Sequence, residues 1–163
     1  MNTRAAEGAE SSDGCPDIWN VLHDATVLEA SGNIHEDVVL RLECDYLRER
    51  FEPSGAEFFL KLVACSRFDF ESWDEGQDLL TDIRQIGTLR LWILSADSMS
   101  DHCKVHCSRQ VRDAAGGTLR VATKSAELRL DSGRAVSIAE IKQVASDYWE
   151  EFSSSTPRKE GLV

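Results

Sequence analysis

Residues 38–47 read Val38-Val39-Leu40-Arg41-Leu42-Glu43-Cys44-Asp45-Tyr46-Leu47, and this stretch decides the fold class. Leu40, Leu42, Cys44 and Tyr46 fall on one side of an extended chain, with Arg41, Glu43 and Asp45 on the other. A period of two is that of a β-strand, and apolar positions alternating with charged ones mark a sheet with one dry and one wet face. Upstream, Ala25 to Ala30 is a second strand, joined to the first through the hairpin residues Ser31-Gly32-Asn33. Downstream, Glu52-Pro53-Ser54-Gly55 turns the chain into a third strand, Glu57 to Phe70. It places Phe58, Leu60, Leu62, Ala64, Phe68 and Phe70 on one side. Three antiparallel strands in a meander are the expected nucleus.

Beyond them the period changes. Gln77 to Ile86 carries Leu79, Leu80, Ile83 and Ile86 at helical spacing, which predicts a short helix or an irregular crossover ending at Gly87. Leu89, Leu91 and Ile93 then alternate with Arg90, Trp92 and Leu94, a fourth strand apolar on both faces near its centre. Asp97 to Asp101 turns the chain into a fifth strand, His102 to Val111, and Ala114 to Gly117 turns it again. Thr118 to Leu130 supplies one bent strand or two short ones, with Leu119, Val121, Leu128 and Leu130 inward. Near the other end, Pro16 to Leu22 makes a helical turn with Ile18, Trp19 and Leu22 packed inward. Ser137 and Glu140 form a capping box that opens a helix over 137–152, with Ile138, Ile141, Val144, Ala145, Tyr148, Trp149 and Phe152 on one stripe. The predicted fold is α+β: a curved, meander-like antiparallel sheet of six or seven strands with the C-terminal helix packed on one face. Residues 15–152 are expected to form one domain between disordered tails at 1–14 and 153–163.

Composition narrows the function. In 163 residues there are 18 Lys and Arg against 29 Asp and Glu, a net charge of -11. That balance excludes nucleic acid and anionic membrane surfaces as partners, since both bind through Lys and Arg. Neither a signal-peptide run nor a membrane-spanning run of about 18 apolar residues is present, so a cytoplasmic protein is expected. The five cysteines, Cys15, Cys44, Cys65, Cys103 and Cys107, are odd in number and scattered, which fits reduced thiols.

The sharpest local cluster is Asp101-His102-Cys103-Lys104-Val105-His106-Cys107. Zinc takes such ligands, but each must sit about 2.0–2.3 Å from the ion. On a strand His102 and His106 lie about 13 Å apart, as do Cys103 and Cys107 on the other face. Inward cysteines and outward histidines are expected, with no metal and no cofactor. His23-Asp24 has the composition of a catalytic dyad with Cys44 or Cys65 as nucleophile, but nothing in the sequence brings them together. Walker, dinucleotide, nucleophile-elbow and zinc-protease motifs are all absent, so no catalytic residue is assigned.

The stretch from Asp69 to Ile83 holds six acids and not one Lys or Arg. Counted as a calcium loop from Asp69, its sixth position is Asp74 and its twelfth Leu80, where Gly and Glu are required. Two readings stay open: a solvated acidic edge, or a patch that steers a basic protein partner. On the second, the binding residues are Asp69, Glu71, Trp73, Asp74, Glu75, Asp78 and Asp82. The alternative function is a small-molecule carrier with a pocket between sheet and helix, lined by Phe58, Phe68, Phe70, Trp92 and Trp149.

Leu22-His23-Asp24, Tyr46-Leu47-Arg48-Glu49-Arg50-Phe51 and Cys65-Ser66-Arg67-Phe68 resemble a group of small bacterial β-rich proteins that form a domain of unknown function. The resemblance spans about residues 18–70 and implies a β-rich bacterial domain with no active site to carry over. In composition, being acidic and free of motifs, the chain is also similar to immunity proteins that neutralise bacterial toxins. That likeness implies a non-enzymatic, immunity-like or regulatory binding module.

Overall fold

The computed structural model describes residues 15–155; the tail expected at 1–14, and the part of the tail expected at 153–163 that follows residue 155, lie outside the described residues. Helix α1 (Cys15–Val21) leads into β1 (Thr26–Gly32) and β2 (Val38–Glu43). A turn of helix, α2 (Asp45–Arg48), precedes β3 (Glu57–Val63) and β4 (Arg67–Ser72). Then come α3 (Ile83–Gly87), β5 (Leu91–Ser98), β6 (Cys103–Arg109), β7 (Gly117–Ala122), β8 (Ser125–Leu130), β9 (Ala135–Val136) and α4 (Ile138–Ser155). The nine strands among the described residues join one sheet in the order β4-β7-β6-β5-β1-β2-β3-β8-β9. Every pairing between strands is antiparallel. The α+β class and the β1–β2–β3 meander are as the alternation predicts.

The strand count is not. The strand expected over 57–70 is two strands that sit at distant places in the sheet, β3 beside β2 and β4 at the edge. The break is built from local hydrogen bonds. Ala64 adopts φ 49°, and its N–H donates to the Asp37 carboxylate at 3.0 Å. Cys65 exchanges backbone bonds with the β1–β2 turn, accepting from His35 at 2.7 Å and donating to Glu36 at 2.8 Å. An αL residue in mid-strand ends the pleat, since only a few non-glycine residues tolerate it. The inward residue at the bend is therefore Cys65, buried, while Ala64 is exposed. Thr123 stands at the break between β7 and β8, its hydroxyl 2.6 Å from the Val63 carbonyl and 2.9 Å from that of Ser125.

Other expectations shift at element ends. After Glu43 the chain leaves the sheet into α2, so Tyr46 does not continue the strand face. The helix expected over 77–86 is confined to α3, because the Asp82 carboxylate caps it by accepting from Gln85 N–H at 2.9 Å. Just upstream, Leu80 trades backbone bonds of 2.9 Å with Phe70 and is extended, which leaves Leu79 exposed. Helix α4 starts as predicted, Ser137 Oγ accepting from Glu140 N–H at 3.0 Å, but continues past 152 to Ser155.

The sheet's dry face and the helices enclose one core, with Trp19, Leu22, Leu40, Leu42, Phe58, Leu60, Ile93 and Val105 essentially inaccessible. Trp149 and Phe152, placed on the buried stripe of α4 by periodicity, are instead exposed. Helix α4 meets α1 and α2 through specific pairs: Lys142–Asp17 at 2.7 Å, Arg50–Glu151 at 2.6 Å, Tyr46 against Tyr148 at 4.6 Å and His23 stacked on Trp149 at 5.3 Å. The wet face carries cross-strand ion pairs such as Arg41 with Glu29 and Glu57, and Lys61 with Asp37 and Glu127.

Where β1 has not yet begun, β5 is paired with β6 on one side but has no strand on the other, and Asn20 of α1 fills that gap. Its Oδ1 accepts from Ala96 N–H at 2.9 Å and its Nδ2 donates to Ala96 C=O at 3.2 Å, as a neighbouring strand would. Asn20→Ala orphans both backbone groups, so thermal or urea unfolding is expected to show a loss of about 1–3 kcal/mol. An unchanged midpoint would mean water replaces the amide without cost.

Candidate functional site

The acid-only stretch leaves β4, rounds a tip at Gly76 (φ 78°, with open space around it) and returns at the Phe70–Leu80 bridge. Its acids divide into two groups. Asp69 is buried on β4 and clamps two arginines, its Oδ2 2.9 Å from Arg67 Nε and its Oδ1 2.7 Å from Arg120 Nε. Glu71 lies 3.5 Å from Arg120 Nη1. Asp82 is the α3 cap. Each of these carboxylates thus has a partner within the fold, Asp69 from a buried position and Glu71 and Asp82 from exposed ones. Asp74, Glu75 and Asp78 are exposed on the loop itself and form no ion pair among the described residues.

Trp73 sits beside them. Its backbone N–H donates to Gly116 C=O at 3.0 Å, and its indole N–H to Thr118 Oγ1 at 3.2 Å. A Cβ on Gly116 would fall 2.8 Å from the indole ring, so the missing side chain lets the ring lie against the β6–β7 loop. The ring is thus fixed in place and still 53% exposed. A half-exposed tryptophan held by two hydrogen bonds thus stands beside three carboxylates that form no ion pair among the described residues.

The remaining sequence candidates separate. His106 and His102 each hold their own carboxylate, Asp97 at 2.7 Å and Asp101 at 2.6 Å. Cys103, Val105 and Cys107 point inward, and no group of three metal-ligating residues forms among the described residues. His23 Nε2 is 3.8 Å from Asp24, but its ring stacks on Trp149 and its Nδ1 lies 2.9 Å from the Asn20 carbonyl. Burial pushes the Cys44 and Cys107 thiols up to about 12, which leaves them protonated and poor nucleophiles. Of the five aromatics named for a carrier pocket, Phe58, Phe68 and Phe70 fill the core, whereas Trp92 and Trp149 lie at the surface.

Sequence reasoning missed two polar centres. One is Arg48, the only fully buried cation among the described residues. The other is a cleft of about 370 Å³ between the β5–β6 turn and the β3–β4 and β7–β8 bends, which includes His102 and Lys124. Neither carries a local signal, because each joins residues from separate parts of the chain. No protein-family model, curated protein or solved structure matches this chain. No helix among the described residues is long and apolar enough to cross a membrane.

Proposed function

We propose that this protein is a non-enzymatic binding module that docks a basic protein partner on the 73–79 loop, with Trp73 as apolar anchor and Asp74, Glu75 and Asp78 as steering charges. The observation that carries the reading is the fixed, half-exposed indole of Trp73 among carboxylates that have no internal cation. The net charge of -11 extends the attraction beyond the contact itself. The supporting sheet is strongly curved: β3 and β4 stand six places apart in strand order, about 29 Å in a flat sheet, yet the link from Val63 to Arg67 spans at most about 14 Å.

The test uses a Lys/Arg-rich helical peptide as the basic probe, with stopped-flow detection of tryptophan quenching. Replacing Asp74, Glu75 and Asp78 by Asn, Gln and Asn is expected to slow association about tenfold at low ionic strength and flatten its salt dependence. Trp73→Ala is expected to speed dissociation instead. The control neutralises Glu29, Glu43 and Glu127 on the sheet's wet face. If that variant loses as much as the loop variant, net charge alone is responsible and the proposal fails.

A further inference from the structure

Independently of the Trp73 surface, we propose that the corner between α1 and β1 binds the primary ammonium group of a small amine. The ammonium bridges His23 Nε2 and the Asp24 carboxylate, and the carbon skeleton of the amine lies against Trp149.

The fold holds both acceptors in place. His23 is fixed at three points: its Nδ1 lies 2.9 Å from the Asn20 carbonyl, Trp149 of α4 stacks on its ring at 5.3 Å, and the Tyr46 hydroxyl donates to its backbone carbonyl at 3.0 Å. Asp24 is fixed through its backbone, at φ 68° and with its N–H donating to Ile93 C=O at 2.8 Å. Because a carbonyl only accepts, the network assigns the ring proton of His23 to Nδ1 and leaves Nε2 a bare acceptor. Nε2 makes no hydrogen bond among the described residues and, unlike His102 Nε2, is not enclosed. It faces Asp24 Oδ2 at 3.8 Å, with the two side chains 32% and 43% exposed. That gap is beyond hydrogen-bond range. Asp24 meets no Lys or Arg among the described residues, since Arg50, the cation over Tyr148, is taken by Glu151.

Two acceptors across such a gap match a cation that donates twice, and the separation decides which one. Tetrahedral zinc, about 2.0–2.1 Å from each atom, would draw them to about 3.4 Å, and a third protein ligand is lacking among the described residues. An ammonium nitrogen about 2.8 Å from both spans the 3.8 Å as it stands, its two bonds about 85° apart. Each N–H then points within about 12° of its acceptor. The surroundings select the rest of the ligand. Trp149 and Phe152 are exposed beside the pair, their rings 5.6 Å apart, and Leu94, next to Ile93, is exposed as well. An ammonium on an aryl or alkyl skeleton fits both halves, and its charge adds attraction to the indole face.

The experiment titrates phenethylammonium chloride into the full chain at pH 8 and constant ionic strength. NMR follows the Cε1–H resonances of the four histidines and the indole N–H resonances of the four tryptophans. A saturable shift confined to His23 and Trp149 is expected. Asp24→Asn should raise the apparent Kd about tenfold, because it removes the charge from one acceptor while asparagine keeps the left-handed backbone. Tetramethylammonium, with the same charge and no N–H, is expected to leave His23 unmoved. No shift, equal shifts at His35, His102 and His106, an equal response to tetramethylammonium, or an unaltered Kd in Asp24→Asn would overturn the assignment. A response only to the side chain of a capped lysine tripeptide would overturn the small-molecule form.

Discussion

Arg48→Ala is expected to cost about 3–5 kcal/mol of unfolding free energy, measured by urea denaturation at neutral pH. The guanidinium is 1% exposed and nearly every donor is used. Its Nε reaches the Glu57 carbonyl and Asp131 Oδ1, each at 3.2 Å; Nη1 reaches the Glu52 carbonyl at 3.1 Å; Nη2 reaches the Ser54 carbonyl at 2.8 Å and Asp131 Oδ1 at 2.6 Å. Asp131 in turn accepts from the N–H groups of Ala56 at 2.8 Å and Glu57 at 3.2 Å through Oδ2. One side chain thus ties α2, the 52–56 turn, the start of β3 and the end of β8. Removing it leaves three carbonyls and a carboxylate short of donors. Arg48→Lys is expected to recover little, because an ammonium on a flexible stem cannot reproduce the planar fork.

The same pair sets an acid limb. The Arg48 hydrogen bond, aided by the Ala56 and Glu57 N–H groups against the opposing effect of burial, holds Asp131 down to about 2. An unfolded Asp titrates near pH 3.9. Because the folded value is depressed, the unfolded state takes up the proton first. The stabilisation is complete above about pH 4 and is lost as pH falls toward 2. Stability measured between pH 6 and 2 should fall steeply in the native protein and less so in Arg48→Ala. Parallel curves would show that Asp131 is not held by Arg48.

These residues show what the sequence could and could not reveal. Alternation located the dry face from Leu40 to Cys44 and from Cys103 to Cys107, since burial of every second side chain is a local property. The capping box at Ser137 was legible for the same reason. The break at Ala64 was not: it depends on Asp37 and on the Cys65 pairing with His35 and Glu36, contacts made across the sheet. Arg48 reads as one more charge in a Tyr46–Phe51 segment, because its partner Asp131 is 83 residues away. Gly87 reads as a helix stop, but a Cβ there would stand 2.3 Å from the Ala30 backbone nitrogen, so its role is to let α3 lie against β1. In the acidic loop, charge was visible and its allocation was not. Only the fold distinguishes Asp69, spent on two arginines, from Asp74, which is free of them.

The second large effect is expected at Trp19, whose replacement by alanine should cost about 3–5 kcal/mol. Its side chain is wholly buried where α1 meets the sheet, and α1 also carries Asn20 on Ala96 and Asp17 on Lys142. A cavity there loosens the docking of α1 and with it the seat of α4. The indole N–H is buried without a hydrogen-bond partner among the described residues, so the ring contributes through packing. Trp19→Phe removes the unpaired donor and keeps most of the volume, and should cost less than about 1.5 kcal/mol. Fluorescence gives an independent readout, because Trp73, Trp92 and Trp149 are 53%, 38% and 37% exposed whereas Trp19 is 0%. The blue-shifted part of the emission should vanish in either variant while only Trp19→Ala loses substantial stability. If Trp19→Phe is as damaging as Trp19→Ala, the indole is holding α1 through its N–H after all, and the packing account of this end of the core is wrong.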